Sequence, residues 1–127
     1  MATALNNFRT SLITLPSSWP NTNDVNYETV TYSPPQGYAT VILMAQVSNN
    51  GAATVTTSAR VRRLEEDGST ITTTSLIKEA SVPVNDAINI LTGRLILQEN
   101  DTLQIISSDG STTQLVLSYL ETLITGQ

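Results

Sequence analysis

The sequence predicts an all-β fold, an antiparallel β-sandwich of jelly-roll or immunoglobulin-like type with an extended N-terminal arm. Three observations carry this expectation. From about residue 27 onward the apolar residues recur with period two rather than 3.6. Turn-forming residues interrupt that pattern at intervals of about ten residues, a spacing typical of sandwiches and barrels. Thr occurs 20 times and Ser 13 times in 127 residues, and the β-branched stem of Thr packs well on a pleated surface while its hydroxyl faces water.

Residues 1–26 are expected to form the arm and residues 27–127 the sandwich domain. The arm is polar, broken by Pro16 and Pro20, and it holds the only Trp (Trp19) and the only Phe (Phe8). Leu5, Phe8, Leu12 and Leu15 also fit a helical stripe. A first strand is expected at 27–33, ended by Pro34-Pro35-Gln36-Gly37. The next, at 39–48, is apolar on both faces, with Val41, Leu43, Ala45 and Val47 on one and Ile42 and Met44 on the other. Such a strand is central or covered on both sides. Asn49-Asn50-Gly51 reads as a type I′ hairpin turn, since Asn-Gly tolerates the positive φ that turn needs.

The strand at 53–63 alternates, with Val55, Thr57, Ala59 and Val61 facing in and Arg60 and Arg62 facing water. Glu65-Glu66-Asp67-Gly68 turns the chain into a strand at 70–80. Val82-Pro83-Val84-Asn85-Asp86 is a corner. Segments 87–91 and 94–98 are two short strands, or one strand bent at Gly93. Glu99-Asn100-Asp101 is a polar turn. Strands at 103–107 and 114–123 form a closing hairpin through Ser108-Asp109-Gly110-Ser111, with Tyr119 in the core by alternation.

The composition narrows the chemistry. There is no Cys and no His, and the net charge is −5. No thiol nucleophile, disulfide, Cys-based metal site or Ser-His-Asp triad can be built. Only 13% of residues are charged, and the acidic sign argues against a grip on a phosphate backbone. No apolar run approaches the roughly 20 residues that span a bilayer, and the first residues have neither the basic nor the apolar region of a secretory signal. The chain is therefore expected to be non-enzymatic, without cofactor or metal, and to bind neither nucleic acid nor membrane.

Few side chains remain as candidates. Glu65, Glu66, Asp67, Asp86, Glu99, Asp101 and Asp109 sit in turns, where acidic residues are ordinarily solvated. No calcium-loop spacing accompanies them. Arg60, Arg62 and Arg63 form the only basic cluster, read either as cross-strand ion pairs or as a patch for an acidic partner. Phe8, Leu12, Leu15 and Trp19 keep large apolar groups outside the periodic region. Such groups are expected to be buried, against the chain's own sandwich or against a neighbouring subunit. These four, with the three arginines, are the candidate partner-binding residues.

A resemblance extends this reading. Val41-Ile42-Leu43-Met44-Ala45-Gln46-Val47-Ser48-Asn49 is an apolar strand ending in Asn. Val82-Pro83-Val84-Asn85-Asp86 is a Pro-containing corner, and Gly93-Arg94-Leu95-Ile96-Leu97-Gln98-Glu99-Asn100-Asp101 a Gly-basic-Leu segment ending in Asp. With Ser118-Tyr119-Leu120-Glu121 and the opening Leu5-Asn6-Asn7-Phe8-Arg9, they resemble small structural proteins of tailed bacteriophage virions, of the marine and cyanobacterial type. Asn100 stands where many of these have Gly, a mild departure because Asn also tolerates positive φ. The resemblance implies a β-sandwich and no catalytic residues. It implies a virion location and a capsid decoration (cement) role, with the major capsid protein or other virion subunits as partners. The alternatives are a tail, neck, baseplate or fibre-associated component, or a receptor-binding one. Self-association as a dimer or trimer accords with such a role.

Overall fold

The computed structural model describes residues 6–15, 32–91 and 93–124. All regular structure among them is strand: β1 (Asn6–Thr14), β2 (Tyr38–Asn49), β3 (Val55–Leu64), β4 (Ile71–Val82), β5 (Ala87–Asn89), β6 (Leu95–Leu97), β7 (Asp101–Ser107) and β8 (Thr113–Leu123). These make two antiparallel sheets. The five-stranded sheet runs β1-β8-β2-β5, with β6 also pairing to β2, and the three-stranded sheet runs β4-β3-β7. The expected antiparallel sandwich is therefore present.

The core lies between the sheets. Ile42, Ala45, Val47, Leu115, Leu117 and Tyr119 come from the larger sheet, and Val55, Ala59, Leu103 and Ile105 from the smaller. Period-two alternation built these strands, because it puts one apolar face on each sheet. In β2 the alternation changes phase. The pairing with β8 shifts between Ile42 and Met44, so Leu43 is an extra residue in the ladder. Ile42 thus joins Ala45 and Val47 in the core, and Val41 and Met44 turn outward. The faces assigned to β2 from strict alternation are corrected by that bulge.

Three further expectations change. Residues Asn6–Thr14 are not part of an arm or a helix; they pair with β8 over their whole length as an edge strand. Neither Asn49-Asn50-Gly51 nor Ser108-Asp109-Gly110-Ser111 closes a hairpin. Each carries the chain from one sheet to the other, since β2 and β8 lie in one sheet and β3 and β7 in the other.

The reason is visible at Asn49. Its side chain donates to the carbonyls of Ala53 (2.8 Å) and Val82 (3.0 Å) and accepts from Gly51 N–H (2.9 Å). The turn therefore folds around a buried amide instead of reversing the strand. Gly51 is required here for space: a Cβ would meet the Thr112 side chain at 2.9 Å. The hairpin at Glu65-Glu66-Asp67-Gly68 forms as expected, with Gly68 at φ 78°. The Pro83 corner crosses from β4 to β5, and Asn49 N–H donates to Asp86 O at 2.9 Å. The segment around Gly93 gives two short strands, both on β2. Of the strand expected at 27–33, residues 27–31 and the proposed boundary at 26/27 lie outside the described residues. Tyr32 forms a bridge with Leu103.

Candidate interaction surface

The larger sheet presents a face to solvent whose chemistry is unusual for an outer face. Outward positions on β1, β8, β2, β5 and β6 hold apolar residues, Thr, Ser, Gln and Asn, and no charged side chain. Register aligns the apolar ones. Phe8 pairs with Leu120, Leu120 with Val41, and Val41 with Ile96. This gives one apolar row across four strands. Phe8 is 77% exposed, Leu12 80% and Ile96 64%. Leu12 pairs with Val116 to start a second row. A wet sheet face ordinarily alternates in polar and charged residues. An exposed, charge-free and apolar face has the composition of an interface core.

The edge of this face is fastened by its inward side. Arg9 Nε donates to Glu121 Oε1 at 2.9 Å, and Tyr32 Oη donates to Glu121 Oε2 at 2.6 Å. Thr40 Oγ1 lies 2.7 Å from Tyr32 Oη, and Ser11 Oγ lies 3.0 Å from Tyr119 Oη. The Tyr32 and Tyr119 rings sit 4.5 Å apart, tilted by 48°. Burial and the bond to Glu121 hold the Tyr32 phenol well above its ordinary pKa. Glu121 is thus a buried carboxylate with two donors, and it joins β1, β8 and the bridge at Tyr32.

The candidate residues separate. Phe8 and Leu12 lie on the exposed face. Leu15, two residues beyond the inward-facing Ile13, is buried in the chain's own core. Trp19 lies outside the described residues. The arginines do not make one exposed patch. Arg62, expected to face water, is 4% exposed. It sits on the middle strand of its sheet, between Thr73 of β4 and Thr102 of β7, and Thr102 and Gln104 on the same outer face are buried as well. Arg60 Nε donates to Gln104 Oε1 at 2.7 Å. Arg63 donates from Nε (2.6 Å) and Nη2 (2.9 Å) to the two oxygens of Asp101, and this bond raises the guanidinium's pKa further. For Arg63 the cross-strand ion pair holds, with Asp101 as partner.

The turn carboxylates have mixed roles. Asp101, read as part of a solvated turn, is 1% exposed. It is fixed by Arg63 and by Gln98 N–H at 2.9 Å. Asp67 is solvated but occupied: the Thr70 hydroxyl and the N–H groups of Thr70 (2.8 Å) and Ser69 (2.9 Å) donate to it. These bonds lower its pKa to about 2. An open cleft of about 810 Å³ lies beside this hairpin, between Glu65, Glu66, Glu99, Ile96 and Ile124. Among the described residues no cluster of carboxylates gathers as a metal site would, and no helix is long and apolar enough to cross a membrane.

Sequence reasoning singled out Phe8 and Leu12 but not the surface they belong to. Val41, Leu120 and Ile96 join them only through strand register, which the sequence does not state. No protein-family model matches the chain, and neither a curated protein nor a solved structure matches it.

Proposed function

We propose that this chain is a non-enzymatic structural protein of a bacteriophage particle, a decoration (cement) protein that binds the major capsid lattice and stabilises it. The observation that carries the reading is the charge-free apolar row Phe8–Leu120–Val41–Ile96 on an exposed sheet face. A surface of that kind supports association with another protein, and the resemblance to virion proteins supplies the partner. The rest of the chain supports a passive role. It has no His or Cys, and the buried carboxylates among the described residues, Asp101 and Glu121, are each engaged by an arginine.

Binding would work through rigid-body docking. The sandwich holds the apolar row in place, so little ordering entropy is lost when a partner covers it. Copy number in purified particles tests the reading. Hundreds of copies, with particles lacking the chain bursting at lower temperature, are expected of a decoration protein. A few to a few dozen copies would move it to the tail, neck, baseplate or a fibre. Absence from the particle would overturn a virion role altogether.

A further inference from the structure

Sheet edges are sites of unplanned pairing, and proteins guard them with short strands, bulges, charges or covering segments. Three edges of this sandwich carry such guards. The β2 side of the larger sheet ends in β5 and β6, three residues each. β4 carries Lys78 and Glu79, and its ladder with β3 is broken by register shifts. The free side of β7 meets Tyr32, which exchanges both backbone hydrogen bonds with Leu103.

β1 differs. It is nine residues long, contains no Pro, and pairs with β8 without a register shift. Its one charge, Arg9, is bound to Glu121 on the neighbouring strand. Among the described residues nothing pairs with its other edge.

We infer that a second copy of this chain docks on that edge. The two β1 strands pair antiparallel about a two-fold axis at Thr10. The sequence of the strand selects this register. Pairing about Thr10 sets Phe8 opposite Leu12 of the other copy, and Leu12 opposite Phe8, on the same exposed face. It sets Arg9 opposite Ser11 and Asn7 opposite Ile13. Moving the axis to Arg9 would place two guanidinium groups face to face, and moving it to Ser11 would set Phe8 against Thr14. An aromatic–aliphatic cross-strand pair stabilises a ladder, and directly opposed like charges destabilise it. The product is one continuous sheet through both copies, closed by two-fold symmetry, with the Phe8–Leu120 row of each copy meeting the Leu12–Val116 row of the other at the junction. An interface of one strand pair is small by the standard of stable complexes, so the dimer should form in a concentration-dependent way.

The absence of Cys makes the test clean. Directly opposed strand residues have Cα atoms about 4.5–5.5 Å apart, within disulfide reach. The Thr10→Cys chain, oxidised mildly, should cross-link to a covalent dimer. The Phe8→Cys chain should not, because the two copies of position 8 would lie about 13 Å apart along the strands. A mixture of Phe8→Cys and Leu12→Cys chains should cross-link to each other. Sedimentation velocity of the unmodified chain should show a monomer–dimer equilibrium. The inference is overturned by a monomer at every concentration, or by cross-linking that does not depend on position. A dimer in which Thr10→Cys fails to cross-link also overturns it, since that dimer would use another surface. None of these outcomes depends on whether the chain belongs to a virion.

Discussion

The Tyr32 hydroxyl donates to Glu121 Oε2 across 2.6 Å, although 89 residues separate the two along the chain. Arg9 approaches the same carboxylate from the other oxygen. One buried acid therefore fixes the edge strand that carries Phe8 and Leu12. Tyr32→Phe removes a donor from this carboxylate and a partner from Thr40. It should cost about 1–3 kcal/mol, as losing a bond to a buried charged group does, measured by urea unfolding. The pH dependence has a definite sign. The folded-state pKa of Tyr32 is raised above 10.0, so its contribution is complete below that pH and falls as pH rises beyond it. Wild type should lose stability above pH 10 more steeply than Tyr32→Phe.

Asn49 satisfies two carbonyls and one N–H where the chain changes sheets. Asn49→Ala leaves the buried Val82 carbonyl without its partner and removes two part-buried bonds, and should destabilise by about 2–4 kcal/mol, one to two lost bonds' worth of desolvation. Thermal or urea unfolding checks it. Asn50→Ala, at an exposed neighbour, should have little effect.

Arg63 is read as a stability residue. Its half-exposed guanidinium neutralises Asp101, which is buried. Arg63→Met should cost about 2 kcal/mol, discounted for solvent at the guanidinium. If Arg63 instead serves to dock an acidic partner, the same change would leave unfolding unaltered and weaken assembly.

Much of this fold was legible, and the misses have physical causes. β3 and β8 follow from alternation, because each has one face on the core, while β4 is bounded by its turns and lies mostly exposed. A turn motif, however, reports local φ preferences and not which sheet the next strand joins. Asn49-Asn50-Gly51 looked like a hairpin for that reason. β1 was hidden by an inverted pattern. Its inward Asn7, Arg9 and Ser11 are polar, with Arg9 and Ser11 bonded to Glu121 and Tyr119, while its outward Phe8 and Leu12 are apolar. Alternation along β3 assigns Arg62 to the outer face but says nothing of how that face is covered, and Arg62, Thr102 and Gln104 are all buried there. The motif residues Asn49, Asp86 and Asp101 proved to be junctions, holding segments distant in sequence.

The Asp67 carboxylate titrates in an accessible range. Three donors, the Thr70 hydroxyl first among them, hold its pKa at about 2 against an ordinary 3.8. A depressed folded-state pKa contributes stability that is present above the ordinary value and lost as pH falls toward the depressed one. The urea midpoint of Asp67→Ala should lie below wild type from neutral pH down to about 4, and the gap should close toward pH 2.

The central claim is that the charge-free face and its β1 edge are where this chain meets its partners. Amide hydrogen exchange, compared between the dilute free chain and the chain in assembled particles, tests it directly. Slowed exchange in β1 and in the strands bearing Val41, Leu120 and Ile96 is the expected result. Protection confined to the Glu65-Glu66-Asp67-Gly68 hairpin and its cleft, with β1 exchanging as in the free chain, would contradict it.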